Sequence, residues 1–289
     1  MNPTKKFKTL LKPRSKTSHK GDFGKIFILA GSKGLSGACV LTSTAALRSG
    51  AGLVTVGVPN SLVLPLAKRM TEAMTKGFPE TKVGTLSKQA IKPVQKFLKT
   101  QDVLAAGPGL STYPETQKVI QSTVLNSSIP IVLDADGLNA FQNKTHLLKK
   151  LKAPAILTPH PGEFARLFGG KIPFSEKERQ KRAGVVAQKF NVVLVLKGHH
   201  TIVASPKGET YMNLTGNPGM ATAGAGDVLT GIIAAFLGQR IQPFYAACFA
   251  VLIHGLAGDL AKKEVGEISL IASDIIRFLP KAFKNILKY

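Results

Sequence analysis

The chain is 289 residues long, 44% hydrophobic and 19% charged, a composition that builds a folded core and excludes a disordered chain. Lys and Arg number 39 against 16 Asp and Glu, a formal net charge of +23, and such a field attracts polyanions from RNA to small phosphorylated ligands without choosing among them. Aromatic residues reach only 7%, with no Trp, too few for the stacking surfaces that single-stranded nucleic-acid readers use.

The first twenty residues carry Lys5, Lys6, Lys8, Lys12, Arg14, Lys16 and Lys20 with no acid and no apolar run. Lacking a hydrophobic middle region, this stretch is no secretory signal. Residues 1–18 read as a solvated basic tail, with a nucleic-acid or anionic-membrane arm as the alternative. Arg277, Lys281, Lys284 and Lys288 add a second basic end with no acid among residues 277–289. The longest apolar runs, such as 246–253, fall short of the ~20 residues a membrane helix needs. Two cysteines, Cys39 and Cys248, are too few for a disulfide framework and lack metal-ligand spacing, which points to a reducing cytoplasm.

In chain order, the apolar run 25–30 stops at Gly31 and predicts a strand, and 36–49 predicts a helix. Strands are expected at 52–58, 102–106, 129–133, 155–158 and 192–196, each aliphatic or β-branched and closing on Gly, Pro or a polar residue. Continuous apolar runs of this kind suit strands buried on both faces of a parallel sheet. Between them, helices are expected at 87–100, at 115–125 behind Pro114 in the first turn, from about Pro161, and at 175–190. Ser175 with Glu178 three residues on is a capping-box pattern. Segments 201–204 and 209–213 read as a hairpin, followed by helices at 225–237, 243–263 and 272–287. This βαβα order predicts a three-layer α/β/α sandwich with a mostly parallel sheet. With no internal repeat and no Ser/Gly-rich linker, residues 19–289 read as one domain behind the tail. Polar and Gly-rich clusters follow the strand ends, where open α/β sheets bind ligands.

The most informative cluster is Thr222-Ala-Gly-Ala-Gly-Asp227, ahead of an apolar helix. Gly224, Ala225 and Gly226 leave bare amides at a helix N-terminus, an anion hole suited to phosphate. Asp227 sits beside it. A carboxylate there repels phosphate, unless it takes a proton from a hydroxyl that attacks that phosphate. The plain alternative is an acid that complements the helix dipole.

Lys197 follows the strongest strand, where it can reach a phosphate, and the Gly198, His199, His200, Thr201 loop can frame a nucleotide. The paired histidines invite a metal, but no third ligand has suitable spacing. His160 stands between two prolines at a strand end, and Glu163 lies in the next helical turn, where it can hold Mg²⁺ through water. Asp134 and Asp136 can hold a cation or cap a helix. Gly107-Pro-Gly109 turns tightly after another strand. The loop 31–37 precedes a helix but lacks the Lys-Ser/Thr ending of a P-loop.

Taken together in order, these pieces resemble the ADP/ATP-dependent NAD(P)H-hydrate dehydratase family of the ribokinase-like superfamily, in its stand-alone dehydratase form. The resemblance rests on His19-Lys-Gly-Asp-Phe-Gly24, Ser36-Gly-Ala-Cys39, Gly107-Pro-Gly-Leu110, Leu157-Thr-Pro-His-Pro-Gly-Glu163, Lys197-Gly198 and Thr222-Ala-Gly-Ala-Gly-Asp227. It covers nearly the whole chain from His19 onward. Related small-molecule kinases share the Gly-x-Gly-Asp segment but usually place Asn where His160 stands.

The resemblance implies repair of hydrated NADH or NADPH (the S epimer), by phosphorylation of the ring hydroxyl and loss of phosphate. It implies Mg²⁺, ADP or ATP as co-substrate with ADP favoured, and a homotetramer. Substrate positions fall on Ala38, Gly109, His160 and Asp227, and nucleotide positions on Lys197, Gly198, His199, His200, Thr201 and Gly226. Some family members carry an epimerase domain; with only the short tail as an extra segment, the resemblance leads to the expectation that epimerase activity is absent. The alternatives are a vitamin-precursor or sugar kinase of the same fold, or a basic nucleic-acid-binding protein; few aromatics and no recognised motif count against the latter.

Overall fold

The computed structural model describes residues 9–11, 14–170 and 175–287. One nine-stranded sheet organises them. Its strands are β1 (Lys25–Leu29), β2 (Leu53–Pro59), β3 (Met74–Phe78), β4 (Val103–Ala106), β5 (Ile131–Leu133), β6 (Ala155–Leu157), β7 (Val193–Leu196), β8 (Ile202–Ala204) and β9 (Thr210–Met212). They lie in the order β3-β2-β1-β4-β5-β6-β7-β8-β9. β1 to β7 are parallel throughout, and β8 and β9 return as antiparallel strands at one edge. The expected mostly parallel α/β/α sandwich is present.

Side-chain alternation along the strands builds two cores. Ile26, Ile28, Val193 and Val195 face one way, against α1 (Gly37–Arg48), α8 (Ala225–Gly238), α9 (Pro243–Val265) and α10 (Ala272–Leu287). Phe27, Leu29, Leu194 and Leu196 face the other way, against α3 (Ile91–Leu98), α4 (Pro114–Leu125), α6 (Pro161–Phe168) and α7 (Glu176–Phe190). Each aliphatic side chain so buried contributes roughly 1.5–3 kcal/mol, which is why the central strands read as unbroken apolar runs.

Three features depart from the sequence reading. β3 was not expected: Met-Thr-Lys-Gly-Phe lies at the sheet edge, where Met74 stays exposed, so it lacks the apolar signature of a central strand. Two short helices, α2 (Val63–Ala67) and α5 (Asp136–Asn139), also went unread. The helix expected at 87–100 is shorter, a 3-10 turn over Lys88–Ala90 leading into α3.

By length and hydropathy alone the 23-residue α9 could cross a bilayer, although the apolar runs predicted no such helix; 67% of its most apolar window is buried inside the protein, as in a core helix. Cys39 and Cys248 are buried and form no disulfide. Lys5, Lys6, Lys8 and Lys12 lie outside the described residues. Arg14 does not float free: its guanidinium sits 3.9 Å from the Phe23 ring centre and donates to the Gly50 carbonyl at 3.0 Å.

The sheet order turns back between β1 and β4, so a crevice opens beyond their carboxyl ends. The two loops there are tied together. Gly31 donates its amide to the Pro108 carbonyl at 2.8 Å, and the Ser32 hydroxyl donates to the Gly109 carbonyl at 2.8 Å.

Candidate active site

The floor of the crevice is a buried ion pair. Lys197 leaves the end of β7 and places Nζ 2.7 Å from Asp134 Oδ1 at the end of β5, and 3.9 Å from Glu163 Oε2. The second Asp134 oxygen accepts from the Thr230 hydroxyl of α8 at 2.8 Å. Burial disfavours the Lys197 charge, yet Asp134 and Glu163 outweigh it and hold its pKa above the usual value. Lys197 is therefore held as a cation, with its ammonium paired to Asp134 and close to Glu163.

The anion loop lies over that pair. Gly224 starts α8 at φ +88°, a conformation that favours glycine; a side chain there would also strike Leu41 at 2.4 Å. A Cβ built on Gly226 would stand 3.3 Å from Lys197 Nζ, so the loop rests almost directly on the ammonium. Amides in the first helical turn have no acceptor behind them in the helix. Of the three expected anion-hole residues, Ala225 differs, because its amide already donates to the Thr222 carbonyl at 3.4 Å.

Asp227 occupies the third position of α8. Burial raises its carboxyl pKa, repulsion from Asp134 adds to this, Lys197 pulls it back, and the group settles at about 7. That is the range in which a carboxylate can both take and return a proton near neutrality.

A strap that sequence reasoning did not identify holds the loop in place. The Asp259 carboxylate on α9 accepts from the Gly216 amide and from Asn217 Nδ2, both at 3.0 Å, while Asn217 Oδ1 accepts from the Gly219 amide at 3.1 Å. Asn213 and Thr215 bind the Val251 and Leu252 carbonyls of the same helix.

His160 is the N-cap of α6. Its Nδ1 accepts from the amides of Gly162 at 3.0 Å and Glu163 at 3.4 Å, and Glu163 Oε2 accepts in return from the His160 amide at 2.8 Å. This closed capping box was not foreseen at these residues. With Nδ1 accepting, the ring proton sits on Nε2. The ring is 49% exposed on the loop face, while Glu163 is almost wholly buried. Glu163 is thus first a cap and a neighbour of Lys197.

Asp134 and Asp136 do not converge on one ion as the sequence allowed. Ala135 between them adopts φ +47°, ψ −120°, a strained turn for a residue with a side chain. It sends Asp134 toward Lys197 and Asp136 toward the Ser111 amide, 2.8 Å away. Across the crevice, Ala38 and Gly109 meet: a Cβ on Gly109 would lie 3.0 Å from the Ala38 methyl. The Lys197 to Thr201 loop that follows β7 is closed by Thr201 donating to the Gly198 carbonyl and by Arg179 donating to the His199 carbonyl at 2.7 Å. Two cavities, of about 670 and 480 Å³, open elsewhere, beside 148–155 and between α6 and α7. The anion loop is not part of either.

Lys197, Asp134, Glu163 and Gly226 thus come together from separate elements, and the chain matches the NAD(P)H-hydrate dehydratase family over residues 26–281. It belongs to that family. A bifunctional NAD(P)H-hydrate repair enzyme of Moorella thermoacetica is 45% identical over 94% of this chain, which spans about half (52%) of that relative's length. An ADP-dependent (S)-NAD(P)H-hydrate dehydratase of Neisseria meningitidis is 38% identical, covering 93% of this chain and 88% of its own. Among solved structures, the ADP/ATP-dependent NAD(P)H-hydrate dehydratase of Bacillus subtilis, co-crystallised with ATP/Mg²⁺, superposes with a TM-score of 0.83 at 32% identity, covering 98% and 97% of the two chains.

Proposed function

We propose that this chain dehydrates the S epimer of hydrated NADH or NADPH, using ADP or ATP, and so repairs damaged nicotinamide cofactor. The observation that carries this reading is Asp227, a carboxyl with a pKa of about 7 in the first turn of α8, beside an anion loop that rests on Lys197. The ring hydroxyl loses its proton to Asp227 as its oxygen attacks the terminal phosphorus, and the bond from that phosphorus to the bridging oxygen breaks, releasing AMP from ADP or ADP from ATP. The amides of Gly224, Gly226 and Asp227 and the charge of Lys197 receive the developing negative charge. The ring's phosphate ester then breaks at the C–O bond: phosphate departs with the bonding electrons, the neighbouring ring carbon releases a proton to solvent, and the ring double bond returns.

Ala38, Gly109 and His160 line the hydrate's side of the crevice, and residues 197–201 with Gly226 line the nucleotide's side. The donor set fits a magnesium ion carried by the nucleotide phosphates rather than one caged by protein. Both Asp134 oxygens are engaged, and Glu163 Oε1, 3.6 Å from His160 Nε2, is left to hold a metal-bound water. Such an ion neutralises phosphate charge. The relatives' names support ADP as the natural donor, and the family resemblance supports a cytoplasmic homotetramer with residues 19–289 acting as one unit.

The test is direct. The protein is mixed with hydrated NADPH, Mg²⁺ and either ADP or ATP, and regained reduced-nicotinamide absorbance is followed. Recovery supports the reading; a phosphorylated small molecule with no dehydration of the hydrate would instead indicate a kinase of the same fold.

His160 can be separated into its two roles. His160→Ala removes the cap and is expected to cost about 0.5–2 kcal/mol of stability. His160→Asn keeps a capping oxygen, so its melting temperature should stay close to that of the wild type. If the ring contacts the hydrate, both variants raise KM for the hydrate; if the Asn variant keeps native kinetics, His160 is only a cap.

A further inference from the structure

Beyond the crevice, the tip of the 197–201 loop meets the first turn of α7. There Glu176, His199 and His200 bring one carboxylate oxygen and two imidazole nitrogens within 4.8 Å of one another. Adjacent residues in extended chain point apart and do not share an ion. Here His200 adopts φ +52°, which folds the chain back and sets the two rings 3.8 Å apart at 31°. His200 Nδ1 is hydrogen-bonded to Glu176 Oε1, twenty-four residues upstream. The third ligand missing from the local sequence is thus supplied by another element.

We propose that Glu176, His199 and His200 form a binding site for a divalent transition cation of the zinc class. Two imidazoles and one carboxylate are a donor set for Zn²⁺, Co²⁺, Ni²⁺ or Cu²⁺, whereas Mg²⁺ and Ca²⁺ prefer oxygen alone. Bonds of about 2.0–2.2 Å to Zn²⁺ require tetrahedral ligands to lie roughly 3.3–3.5 Å apart. The present spread closes to that distance by rotation of the His199 ring, which is exposed. The His200 and Glu176 side chains are 29% and 44% exposed, so an ion reaches them from solvent and keeps a fourth position for water.

Among the described residues, the Arg179 cation lies close to the Glu176 carboxylate. Arg179, on the same helix as Glu176, donates to the His199 carbonyl at 2.7 Å. It fixes the loop backbone from behind while leaving the imidazole nitrogens free to turn toward the ion. Cys39 and Cys248 are buried elsewhere in the fold, in α1 and α9, and contribute no sulfur. An occupied site would pin the loop to α7.

The experiment uses untagged full-length protein stripped of metal and titrated with Co²⁺ alone, with no nucleotide present, so its result is independent of the catalytic reading. One equivalent should produce the visible bands of four-coordinate cobalt, and Zn²⁺ should displace them. Even partners outside the ligand shell are typically worth about 10–100-fold in metal affinity, so His199→Ala, His200→Ala and Glu176→Gln should each weaken binding at least about tenfold. All three changes lie at the surface, and unchanged circular dichroism would confirm folding. The proposal is overturned if no 1:1 spectrum forms, if the spectrum survives His200→Ala and Glu176→Gln unchanged, or if it carries thiolate-to-cobalt charge-transfer bands.

Discussion

Asp227→Asn is expected to lower turnover by about 10²–10⁴-fold, the usual worth of a positioned general base. The amide preserves size and much of the hydrogen bonding but cannot take the hydroxyl's proton. Nucleotide affinity should be unchanged or slightly improved, because a charge facing the phosphates is gone. In the wild type, kcat/KM should rise with pH along a limb centred near 7, where Asp227 ionises. Near-native turnover in the Asn variant would reduce Asp227 to a helix-end acid.

The same substitution has a stability signature of opposite sign. Asp227 holds its proton more tightly in the folded protein, with a pKa of about 7, than in the unfolded chain at about 3.8. Its raised pKa favours folding at low pH, and this contribution is lost as pH rises from about 4 to 7. Asp227→Asn removes that dependence. The variant should therefore gain on the wild type across this window and exceed it by about 2–4 kcal/mol above pH 7. Denaturant melts at pH 4.5 and 8 measure the difference. Equal pH dependence in the two proteins would mean that burial does not destabilise the ionised carboxyl.

Much of this architecture was legible because apolar runs and turn residues are local signals. β1, β2, β4 and β7 advertise themselves by burial on both faces, and α8 by glycines ahead of an apolar stretch. The edge strand β3 did not, since half of it faces water. The family string at His19 to Gly24 proved informative about kinship but remote from the chemistry. It lies at the amino ends of β1 and β2, where the Phe23 and Gly24 carbonyls accept the amides of Gly52 and Leu53.

The electrostatic core of the site stayed hidden for a different reason. Lys197, Asp134 and Thr230 come from β7, the end of β5 and α8, and only the sheet order brings them together. Glu176 was equally invisible as a partner for His200, and Asp259 as the anchor of the loop at 216–219. Sequence spacing identifies residues that act from one turn or one helix face. It does not find pairs made by folding.

That hidden pair supports the remaining large prediction. Lys197→Met leaves Asp134 buried, with the Thr230 hydroxyl as its remaining side-chain hydrogen-bond partner among the described residues, and breaking a buried ion pair in this way costs about 3–5 kcal/mol. The kinetic consequence separates this site from any structural salt bridge. Lys197 holds the pKa of Asp227 down and Asp134 pushes it up. The acidic limb of kcat/KM should therefore move to higher pH in Lys197→Met, with part of the activity lost at pH 7 recovered at pH 9. Asp134→Asn should move the limb to lower pH, and it preserves a hydrogen-bonding group for Thr230, so it is the safer variant to fold. Opposite displacements would tie the proton affinity of Asp227 to the charges beneath it. If both variants fold and leave the limb where it was, the buried pair only holds β5, β7 and α8 together, and the basicity of Asp227 must come from burial alone.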